Sequence, residues 1–408
     1  MLLKLQTKAV NLAMRRFFFG ILVTLCVSIS SDKLSAQDFQ YHGFVAQGII
    51  DVENSDFVED DGAVSSKLTE VGFNASYQLN DNLRLAGQVV YLNGGNRYAE
   101  GVRIDYALLD WSMYKSSSWQ ANLYLGRFKN NHWLYSSSRD IPFARPSIIL
   151  PQSVYFDGFR DIAVGGDGAA LKISHSDDDY GNFDFNLSYG TSKISDKQGE
   201  IILGDKIKGS IEQDSDFQTS LYWQPSFSSW RFGISYLDSV FNYDATEFGD
   251  LFFDGKFSFK FYTINALYEG ERWELSGEIY QETFDSKGFY TPTYSKAPIG
   301  QGMYIQSRYK VNDELTLLAR YENFYNDRDD KNGKAMSEEY DGLIPAYFGY
   351  HRDTVIGLSY DFSSNLRLRL EYHWFQGGGR LTPVVLPNPQ VNDAENWELG
   401  AVQLMYWF

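Results

Sequence analysis

Arg367, Arg369, Glu371 and His373 occupy every second position between Leu366, Leu368, Leu370, Tyr372 and Trp374. In a pleated strand that spacing puts the two sets on opposite faces. No dry core would accept the charged row, but a wall with lipid outside and water inside would. The same parity gathers Arg308 with Lys310, and Arg320 with Glu322, on the polar faces of two preceding segments. Another segment carries Glu274, Glu278 and Glu282 on its polar face. Basic and acidic side chains facing one another across a narrow aqueous gap would set a field that sorts solutes by charge. Mutual neutralisation is the structural alternative, and charges inside a pore usually serve both ends.

A second concentration of charge lies between two such segments. Residues 129–166 hold Lys129, Arg139, Asp140, Arg145, Asp157, Arg160 and Asp161, stiffened by Pro142, Pro146 and Pro151. The stretch is too long for an idle connection. Folded inward it would form a constriction lined by these side chains, and folded outward it would be a solvated surface; the inward course is expected.

Catalytic and metal chemistry find little here. The five histidines, His42, His132, His175, His351 and His373, form no HExxH pair, and there is no G-x-S-x-G elbow or Walker loop. His373 reads as a pore-lining imidazole. Asp330, Asn332, Gly333 and Glu339 fall at EF-hand offsets, but Arg328 stands where the first carboxylate must be. No cofactor and no metal are expected. The acidic runs Glu53 to Asp61 and Asp327 to Asp341 read as solvated loops, where divalent cations could also bridge to lipopolysaccharide phosphates.

The composition restricts what can carry these residues. The 408-residue chain has 36 basic and 53 acidic side chains and is 17% aromatic. That is too aromatic for disorder, and the acidic balance, without a basic stripe, excludes nucleic acid as a partner. The longest apolar run, Phe17 to Ile29, is too short for a transmembrane helix. It follows Lys4, Lys8, Arg15 and Arg16 and precedes Leu34-Ser35-Ala36, the pattern of a secretory signal peptide over 1–36. Cleavage after Ala36 would leave 372 residues with 31 basic and 52 acidic side chains. Cys26 would leave with the peptide, so disulfides and thiolate metal sites are excluded from the mature chain.

From residue 37 to 408 the dominant signal is period two. It predicts strands over 38–50, 68–79, 83–93, 103–114, 119–128, 167–177, 182–192, 216–224, 230–241, 256–268, 273–284, 300–310, 315–325, 353–362, 366–375 and 397–408. Tight polar turns alternate with long connections, and all ten prolines fall outside the strands. These features describe an all-β, antiparallel transmembrane barrel of about sixteen strands, with short periplasmic turns and long extracellular loops. A closed barrel cannot be cut into smaller units, so 37–408 is expected to be one domain.

The chain stops on Phe408, with Val402, Leu404 and Tyr406 on the same face. This resembles the terminal-strand signature of Gram-negative outer-membrane proteins, and the resemblance makes Tyr406 and Phe408 a signal to the barrel-assembly machinery. With the export signal and the strand count, the whole mature chain resembles the Gram-negative porins. Gly126-Arg127-Phe128-Lys129, Arg139-Asp140, Arg145-Pro146 and Pro151 to Tyr155 are similar to the porin third-loop region, which folds into the barrel. The resemblance implies an outer-membrane location among lipid and lipopolysaccharide, passive diffusion of small hydrophilic or charged solutes, and a homotrimer. An outer-membrane enzyme or adhesin acting through its loops is the second reading. A secreted β-sandwich that binds glycans is the third.

Overall fold

The computed structural model describes residues 39–59, 64–160, 165–246, 249–385 and 387–408. The expected signal peptide, with Cys26, lies outside the described residues, as do Asp61 and Asp161. Residues 41–408 form one unit, and Phe39 and Gln40 are the described part of the other.

Alternating side chains make the strands, in chain order β1 Phe39–Glu53, β2 Thr69–Asn80, β3 Leu83–Asn93, β4 Gly101–Lys115, β5 Trp119–Lys129 and β6 Gly165–Asp177. There follow β7 Gly181–Thr191, β8 Ser210–Gln224, β9 Trp230–Asp244, β10 Gly255–Glu269 and β11 Trp273–Gly288. After a two-residue strand, β12 Ser295–Lys296, come β13 Ile299–Lys310, β14 Leu315–Tyr325, β15 Tyr350–Ser363, β16 Leu366–Gln376 and β17 Asn396–Trp407. The described helices α1 Asp196–Leu203 and α2 Lys334–Glu339 lie in long connections.

Sixteen long strands pair antiparallel with their chain neighbours, and β17 returns to β1 in the register Val45–Tyr406, Gln47–Leu404 and Ile49–Val402. Gly43 and Phe408 exchange both backbone hydrogen bonds, at 3.1 and 3.0 Å, so the last residue helps close the ring. Closure removes the free edges of the first and last strands, which is what a spanning sheet requires. The outer face carries exposed Val45, Ile49, Ile264, Ile279, Ile305 and Leu404, an apolar belt suited to lipid. Tyr406 and Phe408 share that face and are about half exposed.

Strand assignments differ most at β8, which begins at Ser210 instead of 216. A register shift between Gln213 and Ser215 breaks the alternation there while pairing with β9 continues to Ser210–Asp244.

The interior departs further from expectation, because much of it is dry. Ile50 and Val52 of β1 and Trp397, Leu399 and Ala401 of β17 pack on Ile148 and Ile149 of the third loop. Across the barrel, Leu237, Phe261, Tyr304 and Phe324 pack on Trp133, Leu150, Val154 and Tyr155 of the same loop. The long connection after β5 thus folds inward as a wedge with two apolar faces.

Candidate functional site

An irregular peptide inside a barrel cannot leave its N–H and C=O groups unpaired. Residues 130–160 satisfy some of these groups internally, through the 3-10 turns Pro142–Ala144 and Asp157–Phe159 and through turn hydrogen bonds such as Ser136 to Trp133, Ile141 to Ser138 and Tyr155 to Pro151. The wall supplies partners for others. Glu371 accepts the N–H groups of Ile148 and Ile149 at 2.5 and 3.1 Å. Glu322 accepts that of Ser153 at 2.7 Å, and Glu278 that of Leu134 at 3.2 Å. Arginines serve the carbonyls: Arg320 donates to Ile149 at 3.0 Å, and Arg369 to Pro142 and Arg145 at 2.8 and 2.6 Å.

Register brings these groups together. Gln306, Arg320, Val355, His373, Leu399 and Val52 form one inward row across β13 to β17 and β1. The next row contains Glu278, Tyr304, Glu322, Asp353 and Phe375. Asp353 contacts His373 Nδ1 at 2.7 Å, and Arg320 lies 3.5 Å from Glu322 and 3.6 Å from Asp353.

The loop's own charges are spent in the same way. Arg145 makes a two-pronged contact with Glu70 of β2, at 2.9 and 2.6 Å. Arg139 binds the carbonyls of Tyr155 and Phe156 and the carboxylate of Asp157. Asp140 sits between Arg160 at 2.6 Å and Lys129 at 3.3 Å, and Lys129 also reaches Asp105 at 2.9 Å. Burial opposes ionisation of Asp140, but Arg160 and Lys129 outweigh it and hold the carboxyl well below the usual range. Asp157 is likewise buried, and Arg97 and Arg139 hold it low. Burial, reinforced by Arg139, pushes His132 down to about 3.

The expected site residues therefore divide by height. Arg320, Glu322, Arg369, Glu371, His373 and Glu278 point inward as parity requires, yet all are buried beneath the loop instead of facing an aqueous gap. Lys129, Arg139, Asp140, Arg145 and Arg160 bind the wall or one another. Nearer the short turns, Arg308 pairs with Glu274 at 2.7 Å, with side chains 19% and 22% exposed, and Arg367 pairs with Asp361. The physical reason is simple: a loop carbonyl or N–H satisfies a wall charge as water would, and toward the short turns the loop still reaches Arg367, through the Phe143 carbonyl at 3.3 Å, and Trp407, on which the Phe143 ring stacks.

Charges reaching solvent inside the barrel lie mainly on the opposite arc, which the sequence reading did not single out. Arg84 of β3 pairs with Asp110 of β4 at 2.8 Å and is 44% exposed. Arg231 of β9 and Asp184 of β7 are 38% and 46% exposed and 3.8 Å apart. Lys172 of β6 lies between them, its ammonium over the Tyr124 ring. The signal was present: Arg84 alternates with the apolar row Leu83, Leu85 and Val89.

No protein-family model matches the chain, and neither does any curated protein sequence. Solved structures do. An anion-selective porin from Comamonas acidovorans superposes with a TM-score of 0.56 at 12% identity, covering 91% of this chain and 99% of that one. The outer membrane channel DcaP of Acinetobacter baumannii gives 0.55 at 11% identity over 93% and 100%. A trimer form of OmpT, an outer membrane protein of Vibrio cholerae, gives 0.56 at 15% identity over 91% and 99%. Identities this low speak for the fold alone, and the fold is that of the sixteen-stranded, porin-like outer-membrane barrels.

Proposed function

We propose that the chain is an outer-membrane porin through which small hydrophilic or charged solutes diffuse passively. One observation carries this reading: a closed wall, greasy outside, keeps partly exposed charges inside at Arg84, Asp184 and Arg231. Charges at that exposure require water. The path follows the β3–β9 arc, and Arg84, Asp184 and Arg231, each within three residues of the short-turn end of its strand, share that end with Arg308, Glu274 and Arg367. Arg320, Glu322, Arg369, Glu371, His373 and Glu278 influence solutes indirectly, by holding the third loop against the other arc.

The proposed setting is the outer membrane after export, with lipid and lipopolysaccharide around the barrel and Tyr406 and Phe408 read during assembly. A homotrimer fits the outer surface. The β4–β5 ladder stops at Ala107–Arg127, leaving Gly101–Tyr106 paired in the described sheet with β3. Gly126, at φ +117°, closes that ladder where a Cβ would meet the Ala107 carbonyl at 2.5 Å. Beside the gap Arg127 binds Asp167 at 2.8 and 2.7 Å and the Ile104 carbonyl at 3.2 Å, all on the outward face. A neighbouring subunit would cover such polar groups better than lipid.

The test is planar-bilayer conductance of the refolded mature chain in a salt gradient, beside Arg84→Ala with Arg231→Ala. Stable steps whose reversal potential moves toward cations in the variant are expected. Inserted protein without conductance would refute the porin and favour an enzyme or adhesin acting through the loops.

A further inference from the structure

At the long-loop end of the barrel a cavity of about 360 Å³ opens between β9–β11 and the loops that follow β7, β11, β14 and β16. Its lining is unlike a route for hydrophilic solutes. Phe241, Phe257, Phe259 and Phe284 occupy inward strand positions. Phe257 and Phe284 stack at 5.7 Å and 7°, and Phe259 meets Phe284 at 4.6 Å. Ile202 and Leu203 of α1 form one side, and Leu381 and Val385 another. A cavity of this size, mostly apolar with some polar groups, is the usual form of a small-molecule site.

Three of the polar residues in the lining share a feature. Arg380, 5% exposed, stacks on Phe324 at 3.4 Å. One of its terminal nitrogens lies 3.6 Å from Glu282 and also serves Tyr280. Arg380 Nε, Glu282 Oε2 and Ser286 Oγ are buried without a hydrogen-bond partner in the protein. A donor and an acceptor thus wait side by side on the wall of an aromatic slot. Leaving such atoms unmatched is unfavourable, and a ligand that matches them removes that penalty.

We infer that this cavity binds an uncharged solute with a flat aromatic or alicyclic body and one hydroxyl or carboxamide group. The body stacks among the phenylalanines, and the polar group accepts from Arg380 and donates to Glu282. Charge balance selects the neutral form. An anion would have to displace Glu282 from Arg380 and pass Asp327 and Asp330, while the rim lysine, Lys296, is already paired with Glu339. A cation would be drawn to Asp327 and Asp330 at the rim and repelled by Arg380 beside the phenylalanines. This goes beyond passive diffusion, which needs no affinity, and makes the mouth a station that concentrates one solute class ahead of the aqueous path.

The test is calorimetric titration of 2-naphthol, neutral at pH 7, into the refolded full chain in detergent, beside Ile202→Trp. The added ring fills the slot from a helix outside the barrel wall, and retained heat-modifiable gel migration verifies folding. Saturable one-to-one heat is expected in wild type, with affinity at least about ten-fold weaker in Ile202→Trp, a difference of 1.4 kcal/mol. Glu282→Gln, which keeps the volume, is expected to weaken binding as well, and 2-naphthoate to bind about ten-fold more weakly than 2-naphthol. Equal heats in wild type and Ile202→Trp, or naphthoate binding as tightly as naphthol, would overturn the inference. The measurement reads binding without conductance, so its failure is distinct from failure of the porin reading.

Discussion

Glu371→Gln is the most direct perturbation of the third loop's seat. Glu371 accepts two adjacent N–H groups of the loop, Ile148 at 2.5 Å and Ile149 at 3.1 Å. The amide keeps one oxygen, so one N–H retains a neutral acceptor and the other faces an NH₂ group. Losing the ionic assistance of one bond and orphaning the second donor costs about 3 kcal/mol. That is roughly a 150-fold shift in the local docking equilibrium. The change stays local, because Arg320 still holds the Ile149 carbonyl, Glu322 the Ser153 N–H, and Glu70 the Arg145 guanidinium. The expected result in planar bilayers is an open channel that visits a larger sublevel far more often, with ion preference nearly unchanged. Glu274→Gln, whose partner Arg308 is a wall residue and not the loop, should do the reverse: quiet traces and a shifted reversal potential. A quiet Glu371→Gln channel with altered ion preference would refute the reasoning, since Glu371 would then face the solute path.

Two further predictions concern the same loop. His132 is buried as the neutral ring and pushed down to about 3, so an undocked loop would take up a proton that the docked one refuses. Docking is then unaffected above the ordinary histidine value near 6.5 and weakens by about 1.4 kcal/mol per pH unit as pH falls from there toward 3. Sublevel visits should multiply between pH 6 and 4 in wild type and stay flat in His132→Phe. Asp140 and Asp157, both held low, add to the seat above the usual aspartate range and lose that contribution only in stronger acid, as pH falls through their depressed values. Arg145→Met leaves Glu70 buried without its two-pronged partner, a loss of about 3–5 kcal/mol. It should lower the urea midpoint of refolding, whereas Arg145→Met with Glu70→Gln should recover most of it.

The wall was legible because a strand's period is two and a barrel has two solvents. Leu366, Leu368 and Leu370 against Arg367, Arg369 and Glu371 identify the strand, its faces and its neighbours from sequence alone. What parity cannot report is which polar medium the inner face meets. Water and irregular peptide both offer dipoles of either sign, so Arg320 and Glu322 would read identically beneath either. The clue that separates them lies on strands whose inward face is greasy. On β17, Val402, Leu404 and Tyr406 point out, while Leu399, Ala401 and Met405 point in and are buried. On β10, Phe257, Phe259 and Phe261 face inward opposite Ser258 and Lys260. An inward apolar row has no use in a water-filled tube, and it announces that part of the tube is filled.

The division of the interior then follows from solvation. A loop of some thirty residues brings roughly as many N–H and C=O groups into the barrel, and its short turns absorb only some of them. Apolar rows on β1, β9, β10 and β17 grip its side chains, but only charged or polar wall residues can take its backbone. Acids and arginines on β11, β14 and β16 do so with both signs, which a single-signed selectivity ring could not. The mixed charge is therefore the signature of a wall that binds peptide. Ion selection requires charges left over after that task, and these persist where the loop does not reach, at Arg84, Asp184 and Arg231.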